Sequence, residues 1–404
     1  MSASSVALVF SGGGARGAYE AGIVRYLREE LPKSLGHQPR FDILCGTSVG
    51  AVTACYLAAT MDRAESQGRE LAALWESLSL EEVYGVHGAD LWTLSRRMWR
   101  AATNDGPLAG WRLDHVLHPE PLEQMVRTQT DWKGIARNLA AGHLSALSVT
   151  ATEIRSGKTV VFVQRREGGV PAWSRDPTTV ARPAVIGPDH ALASAAIPLL
   201  FRPVRVEQEF FCDGSLRQNT PLSPALRLGA TRVLIVSLKT RSTRVSPTPT
   251  TTAYPTTPML MGKLLNALLL DHTDYDLDRL RRFNGILESG QATFGPDFIE
   301  RINETIRAAR GQPYRLVQDL VLRPSQDIAL IAAKHAKKDR LPALTSPSLP
   351  TKLLHRLAKS QLVAEGDLAS YLLFDGAYAR DLITLGMEDA HAQKDALTRF
   401  FAEA

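Results

Sequence analysis

Cysteine is scarce in this chain: three residues in 404, Cys45, Cys55 and Cys212. A scattered, odd-numbered set offers no disulfide framework and no metal-ligand spacing, and it points to a reducing compartment. Long apolar runs are missing as well. No window approaches the ~18 uninterrupted apolar residues of a membrane-spanning helix. Residues 1–5 carry no Lys or Arg, and the apolar run Val6–Phe10 that follows is too short for a leader's hydrophobic core. We therefore expect neither a transmembrane helix nor a secretory leader. No basic run of the kind that tracks nucleic acid is present, and no internal repeat is visible. What remains is ordinary for a globular protein: 44% apolar and 22% charged residues, in a length that allows one large or two modest domains. The formal net charge of +5 fits an anionic partner such as a membrane surface.

The stretch that organises the rest is Phe41-Asp42-Ile43-Leu44-Cys45-Gly46-Thr47-Ser48-Val49-Gly50. Its first five residues read as a buried strand. From Ala51 the spacing turns helical, with Ala54, Leu57 and Ala58 on one face. A strand that turns sharply into a helix lifts the turn residue clear of the sheet. Glycines two before and two after, Gly46 and Gly50, let the backbone close without a Cβ clash, which is the mechanics of a nucleophile elbow at Ser48. The helix N-terminus that follows offers free N–H groups and a positive dipole end.

Upstream, Val6–Phe10 reads as a first strand, followed by Ser11-Gly12-Gly13-Gly14-Ala15-Arg16-Gly17 and a helical pattern from Ala18. With the strand at Phe41 this is a βαβ unit. Consecutive glycines let backbone N–H groups converge as an anion or oxyanion cradle. Gly12, Gly14 and Gly17 also satisfy a dinucleotide fingerprint, but that reading needs an acid at the end of the second strand. Cys45-Gly46-Thr47-Ser48 stands there instead, with His37 and Gln38 nearby.

Further along, 71–78 reads as an amphipathic helix, and 144–151 and 159–164 as two strands with a turn at Ser156-Gly157. His190-Ala191-Leu192-Ala193-Ser194-Ala195-Ala196-Ile197-Pro198 reads as a small-residue helix ended by proline, suited to close packing against the elbow helix. Residues 233–238 are the clearest buried strand. A serine nucleophile needs a base, and Asp213, at the end of the apolar Phe210-Phe211-Cys212, is the residue to pair with Ser48. On position alone an ordinary Asp-Gly turn is the favoured reading. A Ser-His-Asp site would draw on His190, His355 or His391, none of which sits in a recognisable turn context.

Four stretches together resemble the patatin-like phospholipases. Gly12-Gly13-Gly14-Ala15-Arg16-Gly17 resembles the family's glycine loop, Gly46-Thr47-Ser48-Val49-Gly50 its elbow, Ala193-Ser194-Ala195-Ala196-Ile197-Pro198 its Ala-Ser-x-Ala-x-Pro block, and Asp213-Gly214-Ser215 its Asp-Gly-[Gly/Ala] motif. The departure is Ser215, which bears on the fine geometry around Asp213. The resemblance covers about 6–238. It implies a three-layer α/β/α fold with a mainly parallel central sheet. It also implies a histidine-free Ser48–Asp213 dyad, an oxyanion hole from the glycine loop, and hydrolysis of acyl esters in a phospholipid or lysophospholipid without cofactor or metal. Arg16 holds the loop's shape or steers an anionic headgroup. Acyl transfer to an acceptor other than water uses the same serine and is the alternative. A catalytically inert membrane-binding scaffold is the alternative of another class, and intact Ser48 and Asp213 speak against it.

The expected organisation is a catalytic domain over 1–240, a Thr/Pro-rich loop or linker over 241–258, and a mostly helical extension over 259–404 packed on the core. Within the extension, 315–322 reads as a strand extending the sheet. Two stretches are candidates for peripheral contact with an anionic membrane. One is 91–102, where Trp92 and Trp99 alternate with Arg96, Arg97 and Arg100, and Trp111-Arg112 follows. The other is the apolar run 259–270. For each the plainer reading, tryptophans or an apolar helix packed on the core, is the favoured one. The expected location is cytoplasmic, at or near a membrane surface.

Overall fold

Five buried apolar residues form β1 (Val6–Phe10), and burial on both faces is why the run is continuous and does not alternate. In this computed structural model the structure describes residues 4–79, 83, 120–171, 173, 177–198, 200–240, 273–310, 313–337 and 369–402. The other strands are β2 (Ile43–Thr47), β3 (Ala146–Glu153), β4 (Thr159–Arg165), β5 (Thr179–Pro183), β6 (Val204–Val206), β7 (Glu209–Asp213), β8 (Arg232–Val236) and β9 (Gln318–Leu322). They make one sheet in the order β5-β4-β3-β2-β1-β8-β9, with β7 pairing β3 and β6. From β3 through β2, β1 and β8 to β9 every pairing is parallel. Antiparallel pairings join β4 and β7 to β3, and β6 to β7.

Helices cover both faces. Besides the single turn Pro32–Leu35, they are in chain order α1 (Ala18–Glu29), α2 (Val49–Ala59), α3 (Ala64–Glu76), α4 (Glu120–Gln129), α5 (Trp132–Ala141), α6 (Pro188–Ala195), α7 (Leu222–Arg227), α8 (Thr273–Phe294), α9 (Phe298–Arg310), α10 (Ile328–Lys337), α11 (Gly376–Ala392) and α12 (Lys394–Ala402). Alternation along β1 separates the two cores. Val6, Leu8 and Phe10 join the larger core with residues of α1, α2, α3, α6 and α11. Ala7 and Val9 join the smaller one with Leu222 and Ala225 of α7 and Leu277 and Leu280 of α8. This is the three-layer arrangement.

The C-terminal part contributes to both the sheet and a helical layer. β9 runs parallel to β8 in the register Arg232↔Gln318 to Val236↔Leu322, where the sequence pattern places a strand. α11 lies against α1 so closely that a Cβ at Gly22 would overlap the Ile383 carbonyl, and one at Gly386 the Tyr19 carbonyl. Helix α3 starts at Ala64, earlier than the apolar spacing at 71–78 suggests. The readings on 91–102 and Trp111-Arg112, on 241–258, on 259–270 and on His355 lie outside the described residues. Among the described residues no helix is long and apolar enough to cross a membrane, and the three cysteines are buried and free.

Candidate active site

β2 stops at Thr47 and α2 starts at Val49, so Ser48 alone makes the turn. Its backbone has φ 56° and ψ −130°, a region that residues with a Cβ adopt at a cost of about 1–3 kcal/mol. The flanking glycines are required by close approach. A Cβ at Gly46 would overlap the Gly50 carbonyl, and one at Gly50 would lie 2.7 Å from the carbonyl oxygens of Phe10 and Ser11. Ser194, on α6, fastens the turn. Its Oγ accepts from Ser48 N at 2.8 Å and donates to Thr150 O at 2.6 Å.

Asp213 reaches the same place through the register of the sheet. β4 occupies one edge of β3 from Ala146 to Thr152. Along the other edge β2 extends as far as the pair Thr47↔Thr150, and β7 takes the next pair, Ala151↔Asp213. The two strand ends meet beside β3, one residue apart in register. Ser48 Oγ donates to Asp213 Oδ2 at 2.6 Å, and Ser215 N donates to Oδ1 at 2.7 Å. Asp213 N donates to Ala196 O at 2.9 Å, and Thr152 Oγ1 to Asp213 O at 3.0 Å, which fix the strand end. Asp213 is fully buried and Ser48 is 2% exposed. Burial pushes the Asp213 carboxyl up to about 6, against the opposing pull of the Ser48 and Ser215 hydrogen bonds. A carboxylate so poised is mostly ionised at pH 7 and is a stronger base than an exposed one.

The glycine loop lies alongside. Gly12 N donates to Asn219 O at 3.1 Å, and a Cβ on Gly12 would lie 2.9 Å from Ser48 Cβ. Gly14 has φ 56° and opens the short turn Gly14–Gly17 that leads into α1. The N–H groups of Gly13 and Gly14 donate to no described residue. Gly13 caps and Gly14 opens that turn, a setting in which negative charge is favoured. Gly17 packs beneath Val49 of the elbow helix and Trp75 of α3. Arg16 faces the C-terminal segment. Its Nε donates to Ser370 Oγ at 2.8 Å, and its guanidinium lies 3.9 Å from the centroid of the Tyr371 ring. Gly14 in turn packs on the Tyr371 carbonyl, leaving no room for a Cβ. Of the two roles expected for Arg16, these contacts support holding the loop's shape.

No described histidine hydrogen-bonds Ser48 or Asp213. His190 Nδ1 accepts from Gly187 N at 3.2 Å, its ring is edge-on to Phe162, and burial lowers its pKa. His391 Nδ1 lies 3.5 Å from Tyr26 Oη. No cluster of three or more His, Cys, Asp or Glu suited to a metal ion occurs among the described residues. Two contributions escaped the sequence reading. Ser194 stands in a block noted for its small residues, and its hydroxyl was the available signal. Ser370 and Tyr371 lie more than 350 residues from Arg16, and nothing local marks them.

A family model described as "Patatin-like phospholipase" matches residues 8–226, more than half of the chain. Two curated relatives carry the name cGAMP-activated phospholipase. That of Escherichia coli (strain TW11681) is 25% identical over 225 residues, covering 53% of this chain and 52% of that protein. That of Pseudomonas aeruginosa (strain BWHPSA011 / Pa011) is 30% identical over 218 residues, covering 53% of each. The chain thus spans about half the length of the curated relatives it matches. Among solved structures, VipD from Legionella pneumophila aligns at 12% identity and TM-score 0.39, over 97% of this chain and 67% of that one. Human GIVD cytosolic phospholipase A2 in complex with methyl gamma-linolenyl fluorophosphonate aligns at 13% identity and TM-score 0.41, over 99% and 59%.

Proposed function

The chain belongs to the patatin-like phospholipase family, and on that premise we propose that it is a lipid acyl hydrolase acting through Ser48 and Asp213. Asp213 takes the proton of Ser48 Oγ as that oxygen attacks the carbonyl of an acyl ester. The N–H groups of Gly13 and Gly14 hold the oxyanion, each such donor being worth ~3–4 kcal/mol. Asp213 then passes the proton to the departing alcohol, and water releases the acyl group from Ser48. One observation carries the reading: the 2.6 Å hydrogen bond from Ser48 Oγ to a fully buried Asp213, with no histidine between them.

The substrate class is a phospholipid or lysophospholipid, and the net charge of +5 supports work at an anionic membrane surface. Three free, buried cysteines support a reducing, cytoplasmic setting. The test is fatty-acid release from phosphatidylglycerol, phosphatidylcholine and lysophosphatidylcholine vesicles. Wild type is compared with Ser48→Ala, each with and without cGAMP, because the relatives are named for activation by it. Release that depends on Ser48 under either condition supports the proposal. No release under any condition, or equal release by Ser48→Ala, defeats it. Acyl groups found on an added alcohol instead of as free acid would move the assignment to acyl transfer.

A further inference from the structure

A groove of about 240 Å³ is lined by α7, α8 and the segment 313–317 that leads into β9. It contains no residue of the dyad or the glycine loop, and its walls belong to the helical layer opposite the elbow helix α2. Part of it is apolar. Leu222, Leu280, Leu287 and Val317 are buried along it, and Phe283, 37% exposed, stacks on Tyr314 with ring centroids 6.0 Å apart. The charge is one-sided. Arg227, Arg279 and Arg315 border the groove, with Asp276 the one carboxylate among the described lining residues. Arg315 Nη2 donates to Leu226 O at 2.6 Å, which braces 313–317 against α7, and burial lowers the Arg315 pKa. Arg279 is exposed and makes no hydrogen bond or ion pair with a described residue.

Leucines beside guanidiniums select an anion with an alkyl body. Apolar carbon fills the buried part, and carboxylate or phosphate oxygens meet planar donor forks. The volume sets the size: pockets that enclose a drug-sized ligand run ~300–1,000 Å³, so this one admits one short chain and not a two-chain lipid. Both walls end at the glycine loop. Leu222 N, at the start of α7, donates to Thr220 O at 2.9 Å, and Thr273 Oγ1, at the start of α8, donates to Thr220 Oγ1 at 2.6 Å. Thr220 Oγ1 shares a hydrogen bond with Ser11 Oγ at 2.7 Å, and Asn219 O accepts from Gly12 N at 3.1 Å. We propose that the groove binds a single-chain anionic lipid, and that filling it shifts α7 and α8 at Thr220 and with them the glycine loop. Resting on the hydrolase reading above, the fatty acid released at Ser48 is one source of such a ligand, and a lysophospholipid with a terminal phosphate is the other. Turnover then answers to the products of the lipids it consumes.

The experiment titrates wild type, Arg279→Gln and Ser223→Trp with decanoate, decyl phosphate and decanol by calorimetry, and follows p-nitrophenyl butyrate hydrolysis at each ligand concentration. Ser223 is exposed and lines the groove, so a Trp there fills it, and both variants should melt close to wild type. Wild type should bind at least one anion about tenfold more tightly than decanol. Tighter decanoate points to released fatty acid as the source, and tighter decyl phosphate to a lysophospholipid. Arg279→Gln should weaken the anions about fivefold, the scale of one rim charge, and Ser223→Trp should abolish binding. In wild type the saturating anion should lower kcat about fivefold with KM little changed, at the low end of coupling between sites, and Ser223→Trp should not respond. Equal affinity for decanol and both anions, or unchanged binding in both variants, would overturn the site. An equal fall in rate in wild type and Ser223→Trp would overturn the coupling and place the inhibitor at the dyad. Should wild type hydrolyse no ester, the hydrolase reading fails, while the calorimetric titrations still decide the groove.

Discussion

The glycine loop is gripped from two sides, by the elbow at residues 46–50 and by the C-terminal segment that begins at residue 369, and the two are built on different terms. On the elbow side Ser48 sits at positive φ, Asp213 is a buried carboxyl raised to about 6, and Asn219 Oδ1 makes no hydrogen bond to a described residue. On the C-terminal side the groups are matched. Asp375 caps α11 by accepting from Ala377 N and Tyr378 N, Tyr378 and Leu382 are fully buried, and Phe374 stacks on Trp75. Strain and unpaired polar atoms gather at the proposed site, and regular packing holds it from behind. Arg16 joins the two, since it belongs to the loop and bonds Ser370.

The largest effect expected from this contrast is at the dyad. Ser48→Ala or Asp213→Ala should each lower kcat by about 10⁴ or more, with the double variant little worse, because the two act as a unit. Additive losses in a kinetic double-mutant cycle would separate them. Arg16→Ala tests the join. It should lower kcat about 10- to 100-fold with KM nearly unchanged, since a loop displaced by about 1 Å misplaces its donors. Arg16→Lys should recover only part of this, because it lacks the planar group that lies on Tyr371. A fall in stability without a change in the kcat of the folded fraction would make the C-terminal segment a passive support.

The pH dependence reads the elbow side alone. Asp213 must be ionised to act, so kcat/KM should rise with pH through about 6 and level off above it. Stability moves the other way. The folded-state pKa lies above the unfolded value near 3.8, so the folded chain binds more protons between about 4 and 6 and loses stability as pH rises through that window. Two units at ~1.4 kcal/mol each make about 3 kcal/mol. Asp213→Asn should therefore be inactive but more stable than wild type at pH 8, with the difference closing near pH 4, as read by urea unfolding at each pH.

The smallest effect is expected inside the helical layer. Glu20 is fully buried on α1; its Oε2 accepts from Thr53 Oγ1 of the elbow helix at 3.0 Å, and Oε1 is unpaired. Burial raises its pKa well above the ordinary carboxylate range. Glu20→Gln should change stability by less than about 1 kcal/mol, whereas Glu20→Ala should cost about 2 kcal/mol by leaving Thr53 unpaired and opening a cavity. His190→Gln should likewise leave most activity, since among the described residues His190 hydrogen-bonds only its own helix start.

What the amino-acid order disclosed followed the length scale of each interaction. β1, β2 and the elbow are contiguous, so apolar runs and two glycines were enough to read them. Gly12, Gly13, Gly14, Arg16 and Gly17 were visible as a loop for the same reason. The Ser48–Asp213 pair was not, because it depends on β2 and β7 ending one residue apart beside β3, and that register is a property of three strands together. The need for a base made Asp213 a candidate, and the resemblance to a family raised the pairing above an ordinary Asp-Gly turn. The hold of Ser194 on Ser48 N and of Ser370 on Arg16 are side-chain contacts across 146 and 354 residues, and no periodicity carries them. The strand at 318–322 and its place extending the sheet were both legible, while its parallel register beside β8 was not.

The central claim, that Ser48 is a nucleophile activated by Asp213 alone, is tested most directly by intact-mass and peptide mapping after reaction with a fluorophosphonate. The account predicts a single adduct, on Ser48, formed at a rate that rises with pH through about 6, absent in Ser48→Ala and strongly slowed in Asp213→Asn. An adduct on any other residue, or labelling of Asp213→Asn at the wild-type rate, would contradict it.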